Sequence, residues 1–416
     1  VFKKMTRALG IRQTRSMMQR VHPQFPSYEA SSGLKITNIS VYRADLPLHE
    51  GRYTWAEGKY VEVFDTTVVR IETNNPEIVG HGENCPLGSN YLPMFPEGTR
   101  AGIIEMAPQL LGADPTRLLD INMKMDWILQ GSPNAKSAVD MACWDILGKH
   151  AGLPVCELLG GRFDHGEGVD RGFQLYRAIS QNTPELMAEN VRKYVDEGYQ
   201  KFQLKVGNQP SEDIARIHAV RAVLDAQTAV TGDYHPLLCD ANAGWLRHEA
   251  MQVVNGVKDL DVYIEQPCES YEECRSVREH TNLPFVIDEC IKDIGDMVRI
   301  LNDRSADVVN IKIGKLGGLT KAKTIRDLCA AVGIPMNVED TWGGDITQAA
   351  IAAFAHSTPP KSLFCSTDFN SYGPTKIAET TAQRIQGRMA APIDSGLGVY
   401  PRFDVLRKVW QTEPVE

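Results

Sequence analysis

The first third of the chain alternates apolar and polar residues with a period of two, the spacing of half-buried β-strands. Turn-forming Asn, Pro and Gly residues separate the segments with this pattern, which are residues 36–42, 66–71 and 79–83. We therefore predict a three-stranded meander. Helical spacing follows at residues 99–111 and 135–151, and the second stretch ends at Gly152. Residues 34–160 are thus predicted to form a small α+β domain.

From residue 161 onward, short apolar segments alternate with helical stretches, and each apolar segment ends in a polar residue. The end residues are Lys205, Asp240, Glu265, Asp288, Lys312, Asp340 and Asp368. Successive end residues are 23 to 35 positions apart, which leaves room for one strand and one returning helix, so the strands should be parallel. With residues 172–176 as a first strand there are eight, the number that closes a (β/α)₈ barrel. We predict this barrel over residues 161–386 and a C-terminal segment, 387–416, that packs on the first domain.

Composition excludes two classes of protein. The net charge is −9 and the basic residues are scattered, which argues against nucleic-acid binding. The apolar run at residues 349–355 is far shorter than the ~18 residues that span a membrane, so no membrane helix is expected. The nine cysteines are odd in number and form no CxxC pair, which predicts reduced, buried thiols and an intracellular location.

Residues 1–33 differ from the rest because six basic residues precede Glu29, the first carboxylate. A basic, acid-free leader that contains Ser and Thr is typical of mitochondrial transit peptides. A disordered tail or an upstream start site explains the same composition. The expected location is the cytoplasm, or the mitochondrial matrix if the leader is a targeting signal.

Three successive predicted strands end in carboxylates: Asp240, Glu265 and Asp288. The carboxyl ends of barrel strands form one rim, where barrel enzymes carry their active sites. Any one of these acids alone is compatible with a helix cap or a solvated loop. Together they supply the hard oxygen ligands that Mg²⁺ prefers, and without a cation they would repel one another. The sequence therefore predicts a magnesium site.

Lys205 and Lys312 end the strands on either side of this acidic triad. A substrate held between them would face one amine on each side. An ammonium becomes a base only if its pKa of about 10.4 is lowered, which burial near a divalent cation achieves. Such a cation also stabilises the charge that develops when a proton leaves the carbon next to a carboxylate. Two lysines then allow removal on one face and delivery on the other.

Several motifs together make the chain resemble the mandelate racemase/muconate lactonizing subgroup of the enolase superfamily over residues 34–410. They are AKSAVDMACWDILGKHAGLPVCELLGG (135–161), QLK (203–205), DAN (240–242), EQP (265–267), DE (288–289) and IKIGKLGGL (311–319). The resemblance implies that the first domain caps the barrel and that its loops around Tyr53 and Tyr91 close over a small carboxylate substrate. It also implies Mg²⁺ and a homo-oligomer. Asn242 and Glu289 are expected to orient the metal ligands.

The subgroup has KxK at the second barrel strand, whereas this chain has Gln203 in the first position. Together with EDTWGGDI at residues 339–346, this variation resembles the branch that acts on proline derivatives. In that branch we expect Gln203 to face the substrate, Asp340 to pair with a ring ammonium and Trp342 to offer a cation–π contact. A core tryptophan before a Gly-Gly turn is the alternative for Trp342. Asp368 is expected to contact a lysine or the substrate.

The leading hypothesis for the reaction is dehydration of a cis-3-hydroxy-L-proline-like amino acid to a cyclic imine. The main alternative is 2-epimerisation of proline betaine or its hydroxylated form, which uses the same lysines without a leaving group. Dipeptide epimerisation and acid-sugar dehydration stay open because fold does not fix function. A metal-dependent hydrolase would normally carry an HxH pair, and the chain has none.

Overall fold

A computed structural model describes residues 32–165 and 172–413 of the protein. The predicted leader therefore lies outside the described residues, apart from its last two positions. The described residues from Gly33 onward belong to one compact unit. All nine cysteines are free thiols, as predicted, and every one except Cys290 is buried.

The alternating segments of the capping region form a four-stranded antiparallel sheet rather than a three-stranded one. Its strands are β1 (Ile36–Pro47), β4 (Val63–Thr73), β5 (Val79–Asn84) and β17 (Arg407–Gln411), and the short pair β2 (Tyr53–Thr54) and β3 (Tyr60–Val61) lies between β1 and β4 in the chain. The spatial order is β17-β1-β4-β5. The extra strand comes from the C-terminal segment, so no local pattern near β1 predicts it.

The capping helices pack on this sheet. They are Pro96–Leu110, Leu118–Ile128, Pro133–Ala151 and Val155–Leu158, of which the second and the fourth were not predicted. Helix Pro133–Ala151 lies directly on β5 because two glycines of that strand have no side chain. A Cβ on Gly80 would be 2.2 Å from the carbonyl oxygen of Ala142, and one on Gly82 would be 1.9 Å from that of Ala138. The Gly-x-Gly spacing thus fixes this helix against the sheet.

The barrel is built from eight parallel strands of the described chain, in the order β14-β13-β12-β11-β10-β9-β8-β7. They are β7 (Tyr176–Ile179), β8 (Lys201–Lys205), β9 (Leu237–Asp240), β10 (Tyr263–Glu265), β11 (Phe285–Ile287), β12 (Val308–Lys312), β13 (Met336–Glu339) and β14 (Leu363–Ser366). A parallel bridge between Leu175 and Ser366 closes the ring.

The first barrel strand lies later than predicted. Of the expected segment 172–176, only Tyr176 belongs to β7. The preceding pair, β6 (Phe173–Gln174), joins the C-terminal hairpin of β15 (Arg384–Ile385) and β16 (Arg388–Met389) instead. The aromatic and apolar residues of this segment fit either strand, and the choice depends on the hairpin more than two hundred residues away.

Helices return the chain between the barrel strands. They are Pro184–Asp196, Pro210–Thr231, Arg247–Gly256, Tyr271–Arg278, Ile294–Asp303, Ile313–Leu316, Leu319–Val332 and Asp345–His356. In the part of the chain that the structure describes, no helix combines the length and the apolar character that a membrane crossing requires.

Strand register brings the polar ends to one level of the barrel. Lys205 is the partner of Asp240 across β8 and β9, and Asp240 is in turn the partner of Glu265 across β9 and β10. Lys312 pairs with Glu339 across β12 and β13. Because side chains alternate along a strand, residues at matched positions project to the same side, and these five project together.

Candidate active site

Each predicted lysine forms an ion pair with a predicted metal ligand. Lys205 Nζ lies 2.5 Å from Asp240 Oδ2, and Lys312 Nζ lies 2.5 Å from Asp288 Oδ2. The two lysines are 6% and 5% exposed, and both aspartates are fully buried. Charges this deeply buried are tolerated only when they are paired. The rim of the barrel is therefore a closed, highly charged site.

A tyrosine from the capping region lies beside each lysine. Tyr91 accepts a hydrogen bond from Lys312 at 2.5 Å and donates one to Asp288 at 3.1 Å. Tyr53 is buried beside Lys205: burial raises the pKa of its hydroxyl, and the charge of Lys205 opposes that rise. The loops expected to close over a substrate thus lie over the two lysines.

Glu265, the middle acid, is held by amides rather than by a cationic side chain. Gln203 Nε2 donates to Glu265 Oε2, and Asn310 Nδ2 donates to Glu265 Oε1, both at 2.9 Å. Burial raises the pKa of Glu265 well above its usual range, and the neighbouring charges of Asp240 and Asp288 raise it further. The three acids are thus close enough to interact electrostatically, as the sequence predicted.

The ion pairs determine the protonation of the lysines. Burial lowers the pKa of Lys205 and Lys312, but the carboxylates around them raise it more, so both pKa values lie above the usual range for lysine. Lys312 and Lys315 conversely hold the pKa of Asp288 well below its usual value, although burial opposes them. In this arrangement both lysines are ammonium groups, and neither is a base.

Asn242 and Glu289 lie beside the acids, where the sequence placed them. The backbone N–H of Asn242 donates to Asp240 Oδ1 at 2.8 Å, and its side chain donates to Glu289 at 3.1 Å. Burial first, and then the charge of Asp288, raise the pKa of Glu289 to about 7. Asn242 and Gln266 adopt left-handed backbone conformations, with φ of 43° and 34°. Such conformations are uncommon in residues other than glycine and concentrate at functional sites.

Comparison with protein families matches both parts of this architecture. Residues 36–160 match the mandelate racemase/muconate lactonizing enzyme N-terminal domain, and residues 186–405 match the enolase C-terminal domain-like model. The chain belongs to the mandelate racemase/muconate lactonizing enzyme family of the enolase superfamily. The family, the barrel and the capping domain predicted from the sequence are thereby confirmed.

Curated relatives of the chain include a dehydratase, a racemase and several epimerases. A cis-3-hydroxy-L-proline dehydratase from Roseibium aggregatum is 53% identical over 373 residues, which cover 90% of this chain and 98% of the relative. An N-succinyl-L-Arg/Lys racemase from Bacillus cereus is 31% identical over 83% of this chain and 89% of its own. The chain is thus similar to enzymes over nearly the whole length of both domains.

Solved structures of the family superpose closely. A mandelate racemase/muconate lactonizing enzyme from Roseovarius nubinhibens matches with a TM-score of 0.86 and 38% identity, over 92% of this chain and all of its own. A second structure from the same organism, complexed with magnesium, has a TM-score of 0.85 and 34% identity over 91% of this chain and all of its own. At least one related structure of the enolase superfamily thus contains magnesium.

The donor set of this chain fits magnesium chemically. Asp240, Glu265 and Asp288 are fully buried oxygen donors, and buried oxygens of Asn242 and Glu289 beside them have no hydrogen-bond partner. Across residues 32–165 and 172–413, however, no group of three His, Cys, Asp or Glu side chains is arranged to hold a metal directly. Ammonium nitrogens contact Asp240 and Asp288, and amide nitrogens contact Glu265, so a cation bound by these acids would displace them.

Trp342 lies in an aromatic cluster, which contradicts the cation–π contact predicted for it. Phe64 stacks on the indole with a centroid separation of 4.1 Å, and Phe369 stacks at 4.7 Å. Tyr53 and Tyr372 pack at 5.0 and 5.1 Å, and Trp342 is only 2% exposed. The indole is a core side chain beneath the capping loops, which is the alternative that the sequence left open.

Asp368 contacts neither Lys205 nor Lys312, so of its two predicted contacts only the one with the substrate stays a prediction. Its Oδ2 accepts hydrogen bonds from Tyr199 and Ser371, both at 2.6 Å, and Arg384 lies 3.7 Å away. Asp368 follows β14 as predicted but joins a network around these residues. Strand position alone does not give the direction of a side chain beyond the strand end.

Asp340 orders the turn after the second lysine. Its two oxygens accept the backbone N–H groups of Gly314 at 2.8 Å and Thr341 at 2.7 Å. Burial raises the pKa of Asp340 to about 7. These two hydrogen bonds leave acceptor capacity on the carboxylate, because each oxygen accepts more than one hydrogen bond. Pairing of Asp340 with a substrate ammonium therefore stays a prediction.

Three site residues escaped the sequence reasoning. Lys315 pairs with Asp288 at 2.7 Å, Glu339 lies 3.4 Å from Lys312, and Asn310 donates to both Glu265 and Glu339. Lys315 and Glu339 lie within the quoted motifs and Asn310 directly precedes one, but the prediction used only the last polar residue of each predicted strand. Alternation gave the missing signal for Asn310, because residues 310 and 312 share one face of β12.

Proposed function

We propose that the protein is a magnesium-dependent dehydratase that converts cis-3-hydroxy-L-proline to a cyclic imine, pyrroline-2-carboxylate. The observation that carries the proposal is the pair of buried lysines, Lys205 and Lys312, on either side of three buried acids. The 53% identity to a dehydratase of this substrate supports it over other family reactions.

The chemistry needs one base, one acid and a stabiliser of negative charge. One lysine, as the free amine, takes the α-proton of the substrate. The other, as the ammonium, gives a proton to the β-hydroxyl, which leaves as water, so the balance is the loss of H₂O. The resulting enamine tautomerises to the imine. The closed site excludes bulk water from these proton transfers.

Asp240, Glu265 and Asp288 would hold Mg²⁺, with Asn242 and Glu289 as their orienting neighbours. When bound, the ion would neutralise the substrate carboxylate and stabilise the charge that develops beside it. Displacement of the ammonium groups from Asp240 and Asp288 would remove the largest of the charge contacts that raise the pKa of each lysine. Lysine is then free to act as a base.

The substrate contacts of the proposal come from the capping loops and the seventh strand. Tyr53 and Tyr91 lie beside the lysines and would close over the ring. Asp340 would pair with the ring ammonium. Gln203 bonds Glu265 at 2.9 Å, so its proposed effect on the substrate passes through that acid.

A 2-epimerase of proline betaine is the second candidate, because lysines on two sides of the acids also suit removal and return of one proton. Incubation with Mg²⁺ and cis-3-hydroxy-L-proline, and separately with L-proline betaine, distinguishes the two by NMR. We expect a cyclic imine from the hydroxyproline and no inversion of the betaine. Inversion of the betaine without imine formation would favour the epimerase and refute the dehydratase.

We further propose that the protein is a homo-oligomer. Helix Leu118–Ile128 exposes an apolar stripe in which Leu119, Met123 and Trp127 are 70%, 51% and 46% exposed. Residues four apart lie on one helix face, so these side chains form a continuous patch. Light scattering coupled to size-exclusion chromatography tests this: Met123→Lys should shift the mass toward the 46.2 kDa monomer, and an unchanged mass would place any interface elsewhere.

An intracellular location also remains a proposal. All nine cysteines are free thiols, and disulfides are rare in reducing compartments. Cells that produce the tagged protein would be treated with a thiol reagent that does not cross membranes, before and after lysis. An intracellular protein is labelled only after lysis, and labelling in intact cells would contradict the proposal.

A further inference from the structure

Lys312 has a second carboxylate partner that is not a predicted metal ligand. Glu339 ends β13, is 3% exposed, and places Oε1 3.4 Å from Lys312 Nζ. In the described part of the chain, the ion pairs of Lys205 involve Asp240 alone. The two lysines of the site are therefore held differently.

Glu339 is itself fixed by two neutral donors inside the barrel. Asn310 Nδ2 lies 2.5 Å from Glu339 Oε1, and the Tyr176 hydroxyl donates a short hydrogen bond to Oε2. The same Asn310 amide donates to Glu265 at 2.9 Å. A continuous chain of contacts thus runs from Glu265 through Asn310 and Glu339 to Lys312.

We propose that Glu339 is a positioning residue for Lys312 in the proton-transfer reaction, with Asn310 and Tyr176 holding it in place. This inference rests on the proposed function. When a cation engages Asp288, Lys312 loses that contact but keeps Glu339, which aims its Nζ at the substrate. Among the described residues, Lys205 has no second carboxylate within ion-pair distance. Loss of Glu339 should therefore impair only the chemistry that depends on Lys312.

The two enantiomers of proline allow a test of this asymmetry. Each presents its α-proton to one face, and neither can lose a β-hydroxyl, so the initial rate of deuterium incorporation, with or without inversion, reports proton removal alone. The Lys312→Ala variant identifies the enantiomer whose exchange requires Lys312. In Glu339→Gln, exchange of that enantiomer should fall about 10-fold or more, and exchange of the other should change less than about twofold. Equal losses on both, or no loss on either, would overturn the proposal.

Glu83→Gln is the matched control, because Glu83 is also a fully buried carboxylate. It accepts hydrogen bonds from Thr66 and from the backbone N–H groups of Gly344 and Thr347. Destabilisation by this variant should lower exchange of both enantiomers alike. If Glu339→Gln does not fold, Tyr176→Phe removes one donor to Glu339 and should give a smaller loss confined to the same enantiomer.

A crystal structure of magnesium-loaded Glu339→Gln gives a second answer that does not depend on activity. We expect the Lys312 side chain to move away from its position beside residue 339 while Lys205 keeps its place. An unmoved Lys312 would refute the positioning role even if wild-type protein exchanges neither enantiomer. Absence of exchange in the wild type, with Lys312 displaced in the variant, would instead refute the proposed substrate class and leave the positioning role supported.

Discussion

Lys315 donates hydrogen bonds to both the carboxylate of Asp288, at 2.7 Å, and its backbone carbonyl, at 2.5 Å. The lysine is 5% exposed, and it fixes Asp288 on the side opposite the substrate lysine Lys312. Lys315 lies three residues after Lys312, and helix Ile313–Leu316 turns it back toward the end of β11. A buried ammonium thus sets the orientation of the third predicted metal ligand.

Replacement of Lys315 by methionine keeps an unbranched side chain, one heavy atom shorter, and removes its charge. Asp288 then loses two charge-assisted hydrogen bonds but keeps Lys312. We expect the free energy of unfolding to fall by about 1–3 kcal/mol and kcat to fall about 10–100-fold. Lys321→Met is the control: its pair with Asp126 is partly exposed and should cost less than about 1 kcal/mol. Chemical denaturation measures the unfolding free energy of both variants. An equal loss in the two would contradict the role proposed for Lys315.

Magnesium should stabilise the fold as well as support activity. Three buried carboxylates attract a divalent cation, and any ligand that binds only the folded state raises the unfolding free energy, by about 2.7 kcal/mol at a hundredfold excess over its dissociation constant. Because magnesium competes with Lys205 and Lys312 for Asp240 and Asp288, the gain in unfolding free energy should be smaller than this. Thermal unfolding with magnesium and with a chelator measures it. The Asp240→Asn variant should lose most of the shift; a wild-type melting temperature unaffected by magnesium would count against the site.

Trp342→Leu should destabilise the protein without weakening substrate binding. The indole packs against Phe64 and Phe369, so the smaller side chain leaves a cavity that costs about 2–5 kcal/mol. KM for cis-3-hydroxy-L-proline should change less than about twofold. Phe369→Leu should behave in the same way. A selective rise in KM for Trp342→Leu would restore the cation–π interpretation.

His81 should make the stability of the capping region sensitive to mild acid. Burial lowers its pKa below the usual value of about 6.5, although Asp145 at 3.6 Å opposes the shift. Below pH 6.5 the unfolded chain therefore binds a proton that the folded chain resists, and the unfolding free energy falls as pH decreases toward the folded-state pKa. Above this range His81 is neutral in both states and contributes no pH dependence.

The His81→Asn variant removes this titration. Its unfolding free energy should depend less steeply on pH between about 5 and 6.5, by at most about 1.4 kcal/mol per pH unit. Denaturation curves for both proteins at several pH values give the two slopes. Parallel slopes would show that His81 is not responsible.

The sequence predicted the barrel well because the signal is local. Each barrel strand from β8 to β14 is a short apolar segment between turns, and its last polar residue marks the rim. The errors arise where the partner is remote. Strand β17 pairs with β1 across most of the chain, and residues 173–174 pair with the C-terminal hairpin. No local pattern contains either partner.

In the candidate site, too, local patterns predicted some residues correctly, whereas features that depend on remote contacts were missed. The lysines and acids could be placed because parallel strands bring their ends to one rim. Trp342 was misjudged because Phe64 and Phe369, which cover it, lie in other parts of the chain. The hydrogen bond of Asp368 with Tyr199 could not be predicted, because Tyr199 lies in a different part of the chain. Side-chain direction after a strand ends depends on tertiary contacts, which no single segment specifies.

Proton exchange at the α-carbon tests the central claim most directly. Cis-3-hydroxy-L-proline is incubated in D₂O with magnesium and wild-type protein, Lys205→Ala or Lys312→Ala, and followed by NMR. With the wild type we expect loss of the α-proton signal and appearance of the cyclic imine. With either variant the reaction should be at least a hundredfold slower, since general acid–base groups contribute about 10²–10⁴-fold. A wild-type protein that leaves the substrate intact, or a lysine variant that retains full activity, would contradict it.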